Sequence, residues 1–309
     1  MKTSYFIAAL AGILIAVSGC AGVFRTGSGV NQPDFRTGTQ GLEMRWLENA
    51  PPATMYENSQ LNIAFELWNK GSYDLYAGIY TISYDSSYMT LDKNADQLPE
   101  LLGKSLDNQL GEKRIITILG KLSSLPSQMQ RISLPLILNA CYEYSTLASP
   151  SVCIDTDIFN EIPANKKSCA VKSLSFSGQG APVAISSIAP RMYAGTGTTI
   201  RPEFTITMRN AGKGFIVSKD RIYEACTPEA LKKEEFNVAG LKVTLSDSDL
   251  KCRPDSLNFV GGQATVVCTL EEGIDKRQGT YTAPLIIEMN YGYATSITKQ
   301  IEVKKLLVS

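Results

Sequence analysis

Seven cysteines and no histidine define the chemistry open to this chain of 309 residues. The missing imidazole excludes Ser-His-Asp and Cys-His triads and HExxH zinc sites, and removes the commonest general base near neutral pH. A catalyst built here would need paired carboxylates or a lysine. Acidic pairs such as Asp247 and Asp249 fall at turns, with nothing in the sequence to turn them towards one another. No enzyme activity and no cofactor are therefore expected. Asp155, Asp157, Asn160 and Glu161 offer oxygen ligands for calcium, but they lack the EF-hand glycine and its spacing and are expected as solvated loop residues, with no metal. Gly27-Ser28-Gly29 and Gly195-Thr196-Gly197 do not open helices after strands, so neither makes a phosphate loop.

The cysteines carry the clearest signal. Cys20 stands alone at the end of an apolar run, and Cys141, Cys153, Cys169, Cys226, Cys252 and Cys268 make an even six. Six cysteines in an exported chain read as three disulfides. Spacing favours Cys141 with Cys153, across a loop holding Ser149-Pro150-Ser151. Cys252 and Cys268 flank Gly261-Gly262, a hairpin signal. Cys169 with Cys226 follows by elimination. CxxC-like spacing is absent, so thiolate metal sites are not expected.

Cys20 itself closes Val17-Ser18-Gly19-Cys20, which resembles the lipobox of secreted lipoproteins, with valine where leucine is usual. Lys2 gives a positive start, and the 13 residues 5–17 ("YFIAALAGILIAV") match a secretory apolar core. The expectation is a signal peptide over 1–19, a lipid on the Cys20 thiol and a Gly/Thr/Ser-rich tether over 20–40, whose reach is about 25 Å. The alternative is an uncleaved anchor over 5–24, flanked by Lys2 and Arg25. It is the weaker reading, because Ser-Gly-Cys-Ala-Gly makes a poor last helical turn. Either way the body lies outside the cytoplasm.

Two surface features are candidates for binding. Tyr73, Tyr76, Tyr80, Tyr84 and Tyr88 crowd into sixteen residues. On a strand, Tyr76, Tyr80, Tyr84 and Tyr88 would share a face, and a groove lined by Tyr76, Tyr80 or Tyr84 would stack on sugar rings or hold a protein partner. Cross-strand packing is the plainer expectation. Gly178-Gln179-Gly180-Ala181-Pro182 is a rigid turn or recognition loop.

The elements that must position these residues are mostly strands. "LNIAFELWN" (61–69) alternates Leu61, Ile63, Phe65 and Leu67 against Asn62, Ala64, Glu66 and Trp68. Segments 204–210, 241–245, 264–270 and 284–293 behave alike, which is the period of half-buried antiparallel strands. Short helices are expected only at 97–106 and at 227–236, where Thr227 caps and Pro228 takes the first turn. A repeat organises the whole. Pro51-Pro52, Met55-Tyr56 and a strand closing on Asn69-Lys70-Gly71 recur as Pro190, Met192-Tyr193 and a strand closing on Asn210-Ala211-Gly212. The fold expected is all-β, two tandem immunoglobulin-like antiparallel sandwiches over 41–162 and 168–305, split near 162–167.

The repeated strand and Asn-x-Gly turn, together with Cys141-Tyr142-Glu143-Tyr144-Ser145-Thr146, Gly178-Gln179-Gly180-Ala181-Pro182-Val183 and Tyr291-Gly292-Tyr293, resemble CARDB-type immunoglobulin-like modules. The nearest likeness is to uncharacterised archaeal-type cell-envelope lipoproteins. The resemblance spans about residues 41–303 and implies a fold and a location, with no activity to transfer. Thirty basic and thirty acidic residues, with no cluster of either, argue against nucleic acid. The function expected is adhesion or envelope scaffolding by a lipid-anchored surface protein, held by membrane lipid through Cys20 and partnered by another surface protein or a glycan. The alternatives are a carbohydrate- or solute-binding lipoprotein, and a carboxylate hydrolase that would require two convergent acids in a cleft.

Overall fold

Alternating apolar residues become strands wherever a buried face exists to receive them. In the computed structural model, which describes residues 35–227 and 231–306, Leu61, Ile63, Phe65 and Leu67 of the Gln60–Asn69 strand are fully buried. Each contributes about 1.5–3 kcal/mol relative to an exposed side chain. Phe204, Ile206 and Met208 of the Thr199–Asn210 strand are buried in the same alternation. The protein is all-β. Among the described residues the only helical pieces are single 3-10 turns, and none is long and apolar enough to cross a membrane.

The strands form three sheets. A four-stranded sheet runs in the order Leu42–Trp46, Gln60–Asn69, Lys113–Leu122, Met89–Leu91. A six-stranded sheet holds Leu174–Ser175, Val183–Ala194, Thr199–Asn210, Gln263–Thr269 and Lys251–Arg253, with Ile274–Asp275 pairing Thr199–Asn210. The ten-stranded sheet is built around two long neighbours, Arg131–Ala148 and Thr280–Lys304. These two pair from Arg131↔Lys304 to Ala148↔Ile287. All pairings are antiparallel except Thr54–Tyr56, which runs parallel to Glu302–Lys304. Phe65 of the four-stranded sheet meets Tyr80 of the large sheet edge-on at 5.4 Å, so the sheets stack face to face over one core.

The long pair joins the two repeat copies. After Ala148 the chain turns only slightly at Ser149-Pro150, and Ser151–Asp155 continues along the same neighbour, from Ser151↔Pro284 to Asp155↔Thr280. The described residues belong to one compact unit, within which the 3-10 turn Ala164–Lys166 links the two copies.

Two local expectations change. Residues 97–106 are not helical: Ala95–Gln97 is a strand, Leu98 donates to the Gly78 carbonyl, and Leu101 bridges Leu75. Tertiary pairing with the Gly78–Ser83 strand overrides local propensity there. The described part of 227–236 makes no α-helix. The 3-10 turn Glu224–Cys226 ends at Thr227 and another spans Lys233–Glu235. Near the end of the expected tether over 20–40, the Gly38 carbonyl accepts the Gly180 N–H at 2.7 Å, so that residue is held by the body. The expected signal 1–19, Cys20, Gly27-Ser28-Gly29 and the rest of the tether lie outside the described residues.

Candidate functional site

Both copies of the Asn-x-Gly turn end in the same hydrogen-bonded device. Asn69 Oδ1 accepts the Gly71 N–H at 3.1 Å, and its Nδ2 donates to the carbonyls of Tyr73 at 2.7 Å and Leu101 at 3.0 Å. Asn210 Oδ1 accepts the Gly212 N–H at 3.2 Å while Nδ2 donates to the Gly214 carbonyl at 2.8 Å. Side-chain amides are suited to this, because one group supplies both a donor and an acceptor to a turning backbone.

A tyrosine from each long strand locks each turn. Tyr144 places its hydroxyl 3.4 Å from Asn69 Oδ1, and Tyr293 donates to Asn210 Oδ1 at 3.0 Å. The two strands set Tyr144 opposite Tyr291 and Tyr142 opposite Tyr293, so two Tyr-x-Tyr pairs face each other across the middle of the large sheet. The rings pack edge-on or tilted at 5.8 to 6.4 Å. Thr146 donates to the Val183 carbonyl at 2.6 Å, which uses its only proton, so Tyr291 donates to Thr146 Oγ1 at 3.0 Å. The 178–182 loop closes the assembly. Its Gly180 carbonyl accepts Ser72 N–H at 2.8 Å and the Pro182 carbonyl accepts Ala211 N–H at 2.8 Å and Gly212 N–H at 3.1 Å, so the loop is bonded to both copies. Gly71 sits so close that a Cβ there would overlap the Tyr144 hydroxyl.

This centre is a junction. Burial pushes Tyr142, Tyr144 and Tyr291 well above the ordinary tyrosine range and Tyr293 up to about 12, so all four stay protonated near neutrality. The four rings lie in the core, where no ligand reaches them.

The tyrosine row disperses. Only 78–83 of that stretch forms a strand, so the four rings never share a face. Tyr80 is 3% exposed against Phe65 and its hydroxyl is pushed up to about 12, mainly by burial. Tyr76 is 60% exposed and donates to Asp74, whereas Tyr84 and Tyr88 are half-buried against the core. Tyr76, Tyr80 and Tyr84 therefore do not line one groove.

Three of the four candidate calcium ligands, Asp155, Asp157 and Asn160, surround an ammonium, while Glu161 is exposed. Lys167 Nζ lies 2.8 Å from Asp155 Oδ2, 3.1 Å from Asp157 Oδ2 and 3.1 Å from Asn160 Oδ1. Hydrogen bonding to Asp155 raises the lysine pKa, and the Ile162 backbone N–H leads the groups that lower that of Asp157. Sequence reasoning missed Lys167, which the disulfide beside it brings in from a separate turn.

That disulfide is Cys153–Cys169, and the others are Cys141–Cys226 and Cys252–Cys268. The Cys252–Cys268 pairing agrees with the hairpin signal; Cys141–Cys153 and Cys169–Cys226 are corrected. Cys141 lies opposite Ala294 and Cys153 opposite Thr282, twelve positions along one strand. At roughly 3.3 Å per residue that separates them by about 40 Å, far beyond disulfide reach. Three disulfides are the mark of an oxidising compartment.

One cleft opens at the surface where the four-stranded sheet meets the long strand. It encloses about 660 Å³ and is lined by Arg45, Trp46, Glu48, Asn49, Pro51 and Lys299, among others. The loop over it is pinned by Leu47 N–H to the Ala64 carbonyl and Ala64 N–H to the Ala50 carbonyl. Lys299 Nζ donates to the Leu47 carbonyl at 3.3 Å and has no acidic partner among the described residues; burial lowers its pKa. The Trp46 indole N–H is buried without an acceptor. Nothing local in the sequence signals this site, since Trp46 and Lys299 are 253 positions apart.

No protein-family model and no curated protein matches this chain. Among solved structures, the secreted serine protease VesC from Vibrio cholerae aligns at 10% identity and TM-score 0.22, over 82% of this chain and 51% of that one. The chain thus spans about half of that protease's length. The CupB6 tip adhesin from Pseudomonas aeruginosa aligns at 11% identity and TM-score 0.17, over 87% of this chain and 98% of its own. A DUF4466 family protein from Parabacteroides merdae aligns at 9% identity and TM-score 0.16, over 81% and 99%. Likenesses this slight carry no argument about family, fold or activity.

Proposed function

We propose that the chain is a lipid-anchored protein of the outer membrane face or cell envelope, with a binding, adhesion or scaffold role and no catalysis. The observation that carries this reading is the cysteine count. All six cysteines of the body are spent in disulfides, which leaves Cys20, at a lipobox-like boundary, as the one thiol without a partner in that set. In this reading residues 1–19 are the signal and the Cys20 thiol carries the lipid. The body is a pair of immunoglobulin-like, CARDB-like sandwiches merged through one sheet. The matched Asn69 and Asn210 turns support the pairing of the copies. The junction suits a scaffold, since buried tyrosines, the 178–182 loop and the Cys141–Cys226 bridge all hold the copies rigidly together. The partner is a surface protein or a glycan.

Fractionation of cells expressing Cys20→Ser tests the anchor. The reading expects the variant to be released or mis-sorted, with the parent chain in the membrane fraction. Retention of the variant in the membrane would instead establish an uncleaved span. Cross-linking on intact cells separates the roles: one dominant surface protein supports scaffold or adhesion, and no protein partner moves the reading to a small ligand. The Trp46 cleft favours the second reading, a carbohydrate- or solute-binding lipoprotein, now without the tyrosine row.

A further inference from the structure

The cleft at Trp46 combines features that a packing defect would not need. It is of the size of small-ligand sites, which run about 300–1,000 Å³. Its walls are of mixed character. Trp46 and Pro51 are apolar rings, Arg45 and Lys299 are cations, and Glu48 and Asn49 carry side-chain oxygens. Arg45 is already committed to Glu66 at 3.1 Å. Lys299 is not. Its ammonium is half-buried, bonded to a single backbone carbonyl, and makes no ion pair among the described residues, although Glu48 lines the same cleft. A partly desolvated cation without a countercharge is costly unless an anion supplies one. The Trp46 N–H is unpaired but buried, so the indole offers the cleft its ring and not a donor.

The ligand class follows from matching each wall. A bare oxyanion would satisfy Lys299 but leave the rings of Trp46 and Pro51 against water. A purely apolar ligand would bury Lys299 without a partner. A sugar ring carrying a carboxylate uses all of them: its carbon face lies on the indole, its acid meets Lys299, and its hydroxyls bond Glu48 and Asn49. We propose that the cleft between Trp46 and Lys299 binds an acidic saccharide of the uronic-acid class. This rests on the surface-binding reading for its biological sense, while the binding itself is measured in solution whether or not the chain is anchored.

The test uses the full chain with Trp68→Phe, so that Trp46 is the sole tryptophan reporter. Trigalacturonate, neutral galactotriose and inorganic phosphate are titrated while Trp46 emission is followed. The expected result is a saturable change with trigalacturonate and binding of the neutral trimer weaker by about tenfold or more. Lys299→Gln should weaken the acidic trimer by about tenfold and leave the neutral one unchanged, while Lys299→Arg retains the preference. If Lys299→Gln does not fold, the acidic-to-neutral comparison on the parent still decides. Equal affinity for the two trimers overturns the proposal. So does displacement of the acidic trimer by phosphate at comparable concentration, or no response to any probe. A membrane-bound chain that fails here refutes the ligand and leaves the surface reading standing. A chain that binds but is not membrane-bound does the reverse.

Discussion

Replacing Asn69 by alanine should damage the protein far more than the matching change at Asn210, although the two residues make nearly the same bonds. Asn69 is fully buried, and its truncation strips partners from the Gly71 N–H and the Tyr73 carbonyl. The Leu101 carbonyl loses one bond but keeps the Leu75 N–H at 3.0 Å. Two orphaned groups at about 1–3 kcal/mol each, plus one lost bond near 1 kcal/mol, give a cost of about 3–7 kcal/mol. Asn210 is only half-buried, and the Gly212 N–H it caps also reaches the Pro182 carbonyl at 3.1 Å. Water and that carbonyl take over, so Asn210→Ala should cost about 1–2 kcal/mol. Equilibrium urea unfolding of the oxidised protein, followed by near-UV circular dichroism, reads both. With m near 3 kcal/mol/M, the midpoint falls by about 1–2.3 M for Asn69→Ala and by about 0.3–0.7 M for Asn210→Ala. Equal losses, or an Asn69→Ala cost under about 1.5 kcal/mol, would refute the claim that burial of the turn amide sets its worth.

Three further outcomes follow from the geometry. Non-reducing peptide mapping should recover Cys141 linked to Cys226 and Cys153 linked to Cys169. By loop length, 85 against 16 residues, the double serine variants should lose about 4–5 and about 3 kcal/mol respectively, and a Cys141–Cys153 peptide would contradict the pairing of the long strands. In a 295 nm titration, Tyr80 and Tyr293, which burial pushes up to about 12, should ionise only at the alkaline end of the curve. Because their folded pKa exceeds the unfolded value near 10, their stabilisation is complete below pH 10 and lost as pH rises through 12, so the urea midpoint should fall across that window and a flat midpoint would oppose it. Lys167→Ala removes the ammonium from among Asp155, Asp157 and Asn160, and calcium should then raise the melting temperature of the variant by a few degrees but not that of the parent. A shift of equal size in both would show that the ion binds elsewhere.

Period-2 patterning made the strands legible because each has one wet and one dry face, as Leu61, Ile63, Phe65 and Leu67 illustrate. The Asn-x-Gly repeat was legible because a tight turn and its amide brace are local chemistry, but the reason for its glycines was not: Gly71 and Gly212 do not adopt positive φ and instead make room for the Tyr144 and Tyr293 hydroxyls. The facing of Tyr142 and Tyr144 with Tyr293 and Tyr291 was present as two Tyr-x-Tyr strings, but nothing local says that strands about 150 residues apart pair. The disulfides failed for a related reason. Ser149-Pro150 looks like a hairpin turn, yet the partner strand on one side keeps the chain extended through it. Tyr80 went inward because its strand turns that face towards the four-stranded sheet, where Phe65 meets it, which alternation alone does not reveal. The Trp46 cleft depends on an edge strand meeting a residue near the other end of the chain, and no periodicity encodes that.

The last long strand also sets an order of events in biosynthesis. Thr280–Lys304 flanks Arg131–Ala148 in one copy and Val238–Leu245 in the other, and even the early segment Thr54–Tyr56 pairs with its end. At ordinary elongation rates, the Arg131–Ala148 strand exists on the order of ten seconds before its neighbour is made. During that interval neither copy can close, and an 18-residue edge stands open to any other extended chain. The large sheet therefore closes only after that last long strand has been made. A cell making it must shield that open edge until the twenty-five residues of Thr280–Lys304 arrive.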